Sequence, residues 1–180
     1  REMLPIAKRL VSVRLGQGLG SSGQLSSEAM DRAIAALEEF RREIAEHSID
    51  YCRSRGTEAL RKATNAPPFL LRATAIIGTE IDILTGDQEA ILSCDGAMQS
   101  IVGEPPYPVM VVDVGGSSTE ISYLAEPDAP LLTTSIPTGA VAFKELAEEV
   151  PTARIKEQLC RELTTFVDSA GISPGQTTII

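Results

Sequence analysis

The rhythm of apolar and polar positions changes along this chain, and each rhythm predicts a different element. Met30, Ile34, Leu37, Phe40 or Arg41, and Ile44 recur at helical spacing. Ser26 or Ser27 stands where a cap belongs, with Glu28 in the first turn. Residues 27–46 therefore predict an amphipathic helix whose apolar stripe lies in the core. Residues 50–56 read as a short strand and 57–63 as a short helix or helical turn. Asn65 reads as the cap of a further helix that carries Pro67 and Pro68 in its first turn, where proline is tolerated. Residues 80–84 predict a strand, Thr85-Gly86 a turn, and 87–102 a helix with Ala90, Cys94 and Met98 among the positions available for burial. Upstream, residues 6–14 mix apolar and basic positions as an edge strand does, and the glycine-rich 15–23 reads as a loop.

After a polar, proline-containing stretch at 103–107 the period shortens. Residues 109–113 form a nearly continuous apolar strand, Gly115-Gly116 a tight turn, and 118–124 a second strand. That is a hairpin, not the strand–turn–helix of a dinucleotide fingerprint. Residues 131–136 predict another strand, 139–150 and 152–170 two helices, and 177–180 a last strand. The order is strand–helix alternation, then a hairpin, then helices. It describes an α/β chain of two units whose boundary is expected at 103–107.

Composition narrows the function. The 180 residues, 43% hydrophobic and 23% charged, exclude wholesale disorder. The apolar runs are too short to span a membrane. Three widely spaced cysteines without a C-x-x-C favour a reducing cytoplasm and buried thiols, and argue against a zinc ribbon. A single histidine, His47, makes a histidine triad or a multi-histidine metal site improbable. The absence of Trp and the 4% aromatic content argue against a base-stacking surface. The net charge of −9 hides an asymmetry: residues 1–72 hold 12 Lys and Arg against 9 Asp and Glu, residues 73–180 hold 4 against 16. No Lys or Arg occurs in 73–143. General nucleic-acid binding is disfavoured, and isolated carboxylates in an acidic stretch suit a divalent cation better.

Three segments could carry chemistry. In Val111-Val112-Asp113-Val114-Gly115-Gly116-Ser117-Ser118-Thr119-Glu120 a buried strand ends in a carboxylate, followed by a glycine turn with hydroxyls and a second carboxylate. Glycines let backbone N–H groups converge on an anion, with Ser117, Ser118 and Thr119 as further donors, and Asp113 can hold Mg²⁺ beside it. The plainer reading of the same residues is a hairpin turn with a capping Asp. In Thr85-Gly86-Asp87-Gln88-Glu89-Ala90, Asp87 reads as a helix-dipole partner, while Glu89 can point into a cleft. In Gly56-Thr57-Glu58-Ala59-Leu60-Arg61, Arg61 could clamp a phosphate or simply lie at the surface.

Together these segments resemble the exopolyphosphatase / guanosine pentaphosphate phosphohydrolase (Ppx/GppA) family. The likeness is carried in order by Arg14-Leu15-Gly16-Gln17-Gly18-Leu19, Ser22-Gly23-Gln24-Leu25, Thr57-Glu58-Ala59-Leu60-Arg61, Gly86-Asp87-Gln88-Glu89-Ala90, Asp113 through Glu120, and Ser135-Ile136-Pro137-Thr138-Gly139. The resemblance implies the two-domain ribonuclease-H-like α/β fold of the acetate and sugar kinases, Hsp70 and actin, with the active site between the domains. Residues 1–104 would belong to the first domain and 105–180 would begin the second. It implies Glu89 as the catalytic glutamate that activates water, Glu120 as the second catalytic glutamate, and Asp113 as the Mg²⁺-associated aspartate. Gly115, Gly116, Ser117 and Ser118 would form the phosphate-binding loop, with Arg61 as a phosphate-contacting arginine. The implied reaction is hydrolysis of a terminal phosphoanhydride of polyphosphate or guanosine pentaphosphate. The family admits a homodimer, and neither nucleic acid nor a membrane is implied as a partner.

The match departs from the family pattern at several positions. Ser117 stands where a third glycine is usual, Ile91 where an arginine often follows, and Ala142 where a basic residue is often found. The strand with an Asp-x-Gly-Ser-x-Ser-type loop that begins family members is not seen before Arg1. An excerpt of a longer protein is therefore expected, incomplete at both ends of the fold. A non-catalytic phosphate-ligand sensor on the same fold stays open as an alternative, as does an ATP-using kinase or chaperone-like ATPase.

Overall fold

The computed structural model describes residues 6–180. Two layers of different character share it. In the first, helix α1 (Leu19–Ser22) and helix α2 (Ser27–Glu46) precede strand β1 (Ser54–Gly56), helix α3 (Glu58–Lys62) and helix α4 (Ala66–Ile77), and strand β2 (Ile81–Ile83) pairs in parallel with β1. Ser26 caps α2 by accepting from the Ala29 amide. The expected stripe of α2 is rotated slightly. Its buried positions are Ala29, Ala33, Ile34 and Ala36, with Met30 and Leu37 packed at the margin. Small residues take the deepest places because α4 crosses closely through Ala66, Phe69 and Ala73. Phe40 and Ile44, expected in the core, are only half-buried.

Three expectations in this region need correction. Residues 7–14 form no strand. Arg9 binds Glu39 and Glu43 of α2, and Arg32 Nε donates to the Val13 carbonyl at 3.0 Å, so side chains of α2 hold this segment in place of a backbone ladder. The 15–23 loop contains α1, a single turn bounded by Gly18 and Gly23, both in left-handed conformation. Asn65 precedes α4 but does not cap it. Its side chain accepts from Leu25 N at 2.8 Å and donates to Leu25 O at 2.9 Å, stitching the end of the loop to α4.

The second layer is a four-stranded sheet in the order β5-β4-β3-β6, formed by β3 (Val109–Val114), β4 (Thr119–Leu124), β5 (Leu132–Ile136) and β6 (Thr178–Ile179). The β3–β4 and β4–β5 pairs are antiparallel and β6 joins β3 in parallel. The expected hairpin is present. Helix α7 (Thr152–Ser169) covers one face, where Phe166 and Ile172 pack on Met110, Ile121 and Ile136. Helix α5 (Gly86–Ser100) covers the other: Ala90 and Cys94 are buried, and Ser122 Oγ donates to the Ala90 carbonyl at 3.0 Å. Helix α5 precedes the proline-containing stretch in sequence yet packs on the sheet that follows it. A capping box of Thr85 and Gln88 starts it, one residue earlier than the pattern predicts. Helix α6 (Ala140–Glu149) follows β5.

The cysteines are free, but only Cys94 is buried; Cys52 is half-buried and Cys160 exposed. Burial pushes the Cys94 thiol above its ordinary range, so it stays protonated. Among the described residues no helix is long and apolar enough to cross a membrane. Ile121, at the centre of the α7 face, tests the packing: Ile121→Ala should cost about 2–4 kcal/mol in urea denaturation. Leu10→Ala, at a side chain 92% exposed, should leave stability unchanged.

Candidate active site

The site begins with strand register. In the β3–β4 ladder Val112 faces Ile121, Asp113 faces Glu120 and Val114 faces Thr119. Side chains alternate along a strand, so with Met110 and Ile121 turned toward α7, Asp113 and Glu120 share the opposite face. Glu120 is 4% exposed and its Oε1 accepts from Ser135 Oγ of β5 at 2.8 Å. Asp113 lies near the exposed end of its strand and accepts from Ser93 of α5. Thr133 Oγ1 donates to Asp87 at 2.9 Å, which fixes the start of α5 against β5. Ala90 anchors the next turn in the sheet, and Glu89 beside it enters the same space as Asp113 and Glu120.

Glu89 is held by Arg61 at 2.6 Å, and its side chain is 12% exposed. Arg61 also donates to the Leu84 carbonyl. Burial raises the Glu89 pKa above the usual carboxylate range; the Arg61 hydrogen bond opposes this, and the charges of Glu120 and Glu58 add to it.

The turn after β3 closes with Gly115 N donating to Ser118 O at 3.0 Å. The first amides of α6 then cap its carbonyls. Ala140 N donates to Gly115 O at 2.9 Å, and Val141 and Ala142 donate to Gly116 O at 2.9 and 3.1 Å. This approach needs Gly139, where an added Cβ would lie 2.4 Å from Gly115 O and 2.6 Å from Gly116 C. Thus α6 spends its amides on the turn. The amides of Gly116, Ser117 and Ser118 make no hydrogen bond with any described residue. Ser117 has an ordinary negative φ, so a Cβ is accommodated there without strain. Gly16 makes room for it: a Cβ on Gly16 would stand 2.6 Å from Ser117 Oγ.

These parts surround a cleft of about 360 Å³. One wall is the 14–17 loop together with Thr57, Glu58 and Ala59 at the start of α3. The other is the turn of Gly115, Gly116, Ser117 and Ser118 with Val141 behind it; Glu89, Asp113 and Glu120 also line the space. The 14–17 loop reaches across to α6, where Gly18 N donates to Glu145 Oε1 at 2.8 Å. Of the residues expected in the site, all but Arg61 line the cleft. Arg61 lies behind it, committed to Glu89 and Leu84. Ile91 is exposed on α5 and lies outside the lining.

Two charged lining residues were not foreseen as site residues. Glu58 is 4% exposed, pairs with Lys62, and leaves Oε2 without a hydrogen-bond partner. It stands three residues before Arg61 on α3, a spacing that puts the two on adjoining sides of one helical turn. Arg14 is the other, inside a motif already singled out. The cleft is thus lined, among the described residues, by four carboxylates and one guanidinium. Among the described residues no three His, Cys, Asp or Glu side chains converge tightly enough to enclose a metal ion by themselves.

Comparison with known proteins agrees with this architecture. The model of the Ppx/GppA phosphatase family matches residues 1–170. The chain is 37% identical over 140 residues to a guanosine-5'-triphosphate,3'-diphosphate pyrophosphatase of Photobacterium profundum, an alignment covering 78% of this chain and 28% of that protein. The crystal structure of an exopolyphosphatase-like protein superposes with a TM-score of 0.80 at 31% identity, over 93% of this chain and 55% of that one. An exopolyphosphatase from Cytophaga hutchinsonii gives 0.68 at 28% identity, over 74% of this chain and 42% of that one. The chain belongs to the Ppx/GppA phosphatase family. Its mixed α/β architecture is part of the actin/Hsp70-like fold of that family, as the motifs imply. It spans less than a third of the length of the Photobacterium relative and about half that of the solved structures.

The tight approach of α6 to the turn is directly testable. Gly139→Ala places a methyl group against backbone that cannot move aside, and should destabilise the protein by about 1–3 kcal/mol in a denaturant titration. Gly20→Ala, at a position with open space around it, should be neutral.

Proposed function

We propose that the protein to which this chain belongs hydrolyses the terminal phosphoanhydride bond of a linear polyphosphate or of a guanosine pentaphosphate, releasing orthophosphate. The observation that carries the reading is the convergence of Glu89 and Glu120, from α5 and β4, on a cleft bordered by the uncommitted amides of Gly116, Ser117 and Ser118. A partly buried carboxylate with raised proton affinity is suited to take a proton from water near neutral pH. Three unpartnered amides in one turn suit the oxygens of a phosphoryl group. The names of the Photobacterium and Cytophaga relatives point to the same substrates.

In this mechanism the amides of Gly116, Ser117 and Ser118 hold the terminal phosphate. Glu89, oriented by Arg61, accepts a proton from the attacking water as its oxygen bonds to phosphorus and the bridging P–O bond breaks. Glu120, fixed by Ser135, adds its charge to the burial that raises the proton affinity of Glu89. The donor set fits a hard divalent cation completed by phosphate and water, because Mg²⁺ is commonly held by one or two carboxylates plus substrate oxygens. Asp113 would hold the Mg²⁺ ion, which when bound neutralises charge on the phosphate oxygens. With four carboxylates lining the cleft, polyanion binding should depend strongly on that ion.

The test is phosphate release by the intact parent protein on long-chain polyphosphate and on guanosine pentaphosphate, with and without Mg²⁺. Release that stops on chelation and falls at least about a hundredfold in Glu89→Gln is expected. Binding without release on either substrate would replace this reading with that of a phosphate-ligand sensor. The pH profile gives a finer check. Glu89 must be ionised to act as base, and the Glu58 charge opposes that ionisation. Glu58→Gln should therefore lower the Glu89 pKa and move the acid limb of kcat/KM to lower pH.

A further inference from the structure

Arg61 is the residue that the motifs put forward as the cation for substrate phosphate, and its guanidinium is engaged by protein groups in this structure. Its guanidinium is held by the Leu84 carbonyl and Glu89, and it does not line the cleft. The Lys and Arg side chains beyond residue 143 do not line it either. Arg14 does. The other charged residues described in the lining are four carboxylates, and the Arg14 guanidinium makes no hydrogen bond or ion pair with any described residue. Arg41, Arg42 and Arg154 also lack such partners, but they are exposed and do not line the cleft; Arg9, Arg32, Arg53, Arg55, Arg61, Arg72 and Arg161 all have partners.

The backbone at Arg14 is unusual as well. Its φ is +49°, left-handed and uncommon for a residue with a long side chain. Its neighbours hold it there from several sides. The Val13 carbonyl is gripped by Arg32 Nε at 3.0 Å, and Val13 and Leu15 pack against the first core. Gln17 N donates to the Arg14 carbonyl at 3.0 Å, and Gly18 N is tied to Glu145 on the far wall at 2.8 Å. Two residues along, Gly16 lies so close to the turn that a Cβ there would be 2.6 Å from Ser117 Oγ. The strained residue therefore sits in a loop that meets the glycine turn at the Ser117 side chain. A strained conformation persists where the surroundings over-determine it, and such residues cluster at ligand clamps.

We infer that Arg14 is a side-chain clamp for substrate phosphate in this cleft: its guanidinium grips phosphate oxygens in a two-pronged contact from the 14–17 loop. The inference rests on the phosphoanhydride reading of the site and adds to it a binding residue. A guanidinium suits the role because its planar fork matches two phosphate oxygens and it stays charged at every working pH. Arg14 is placed to hold substrate rather than to move a proton, so its loss should appear in binding and not in turnover.

The deciding variant is Arg14→Gly in the intact parent protein. Glycine adopts a left-handed φ without strain, so this change removes the guanidinium while leaving the loop at least as stable. The expected result is a melting temperature equal to or above that of the wild type, a KM for polyphosphate raised about ten- to hundredfold, and kcat within about threefold. Arg14→Lys, which keeps the charge but not the fork, should recover only part of the affinity. Calorimetric titration with tripolyphosphate in the presence of Mg²⁺ reads the same contact without turnover, and Arg14→Gly should weaken that binding by a similar factor. Wild-type hydrolysis with unchanged KM and tripolyphosphate affinity in Arg14→Gly would overturn the clamp and leave the hydrolase reading standing. Tripolyphosphate binding that depends on Arg14, with no hydrolysis by the wild type, would keep the clamp and overturn the hydrolase. A wild type that neither binds nor hydrolyses overturns both.

Discussion

Everything in the cleft depends on which face of one hairpin two carboxylates occupy. Asp113 and Glu120 are cross-strand neighbours, and a slip of either strand by one residue would turn its carboxylate into the apolar layer of Met110, Ile121 and Ile136 beneath α7. Burying an ionised carboxylate there without a partner is prohibitive. The hydrophobic alternation of the α7 face thus specifies the polar face as well, and α5 then brings Glu89 to it through Ala90, Cys94 and the Ser122 hydrogen bond. Packing on one side of the sheet sets the chemistry on the other.

The same cleft poses an electrostatic problem. Four carboxylates line a space proposed for a polyanion, and each repels it in a setting less screened than open water. Backbone dipoles meet part of that demand because α6 caps the carbonyls of the turn and leaves its amides free. Gly139 permits the approach, as it has no side chain to collide with Gly115 and Gly116. A divalent cation and the single guanidinium at Arg14 supply the remaining positive charge in the proposed mechanism. Burial is the main cause of the raised proton affinity of Glu89, and the charges of Glu120 and Glu58, which also hinder the substrate, add to it.

Some of this was legible residue by residue. The periodicity of α2 and its cap at Ser26, the prolines in the first turn of α4, and the hairpin of β3 and β4 were readable because each rests on local rules of spacing, capping and turn chemistry. The 6–14 segment was misread because its alternation of apolar and basic residues fits an edge strand equally well. Only the acidic face of α2, with Glu39 and Glu43 in reach of Arg9, distinguishes the two. Asn65 was misread as a cap because a cap and a long-range stitch to Leu25 use the same amide. The core stripe of α2 moved toward alanines because how closely α4 approaches is not written in α2.

The candidate site divides along the same line. The carboxylates and the glycine turn could be read from the order of residues, because strand alternation and turn geometry are local and because the ordered motifs carry the family likeness. Packing had to establish that Arg61 supports Glu89 from behind, that Glu58 is buried beside it, and that Arg14 faces the cleft. Those roles depend on which side of α3 meets α5 and on how the 14–17 loop is pinned to α2 and α6, contacts between residues up to 127 positions apart. Spacing along a chain specifies the direction of a side chain within its own element; only the packing of elements specifies what it meets.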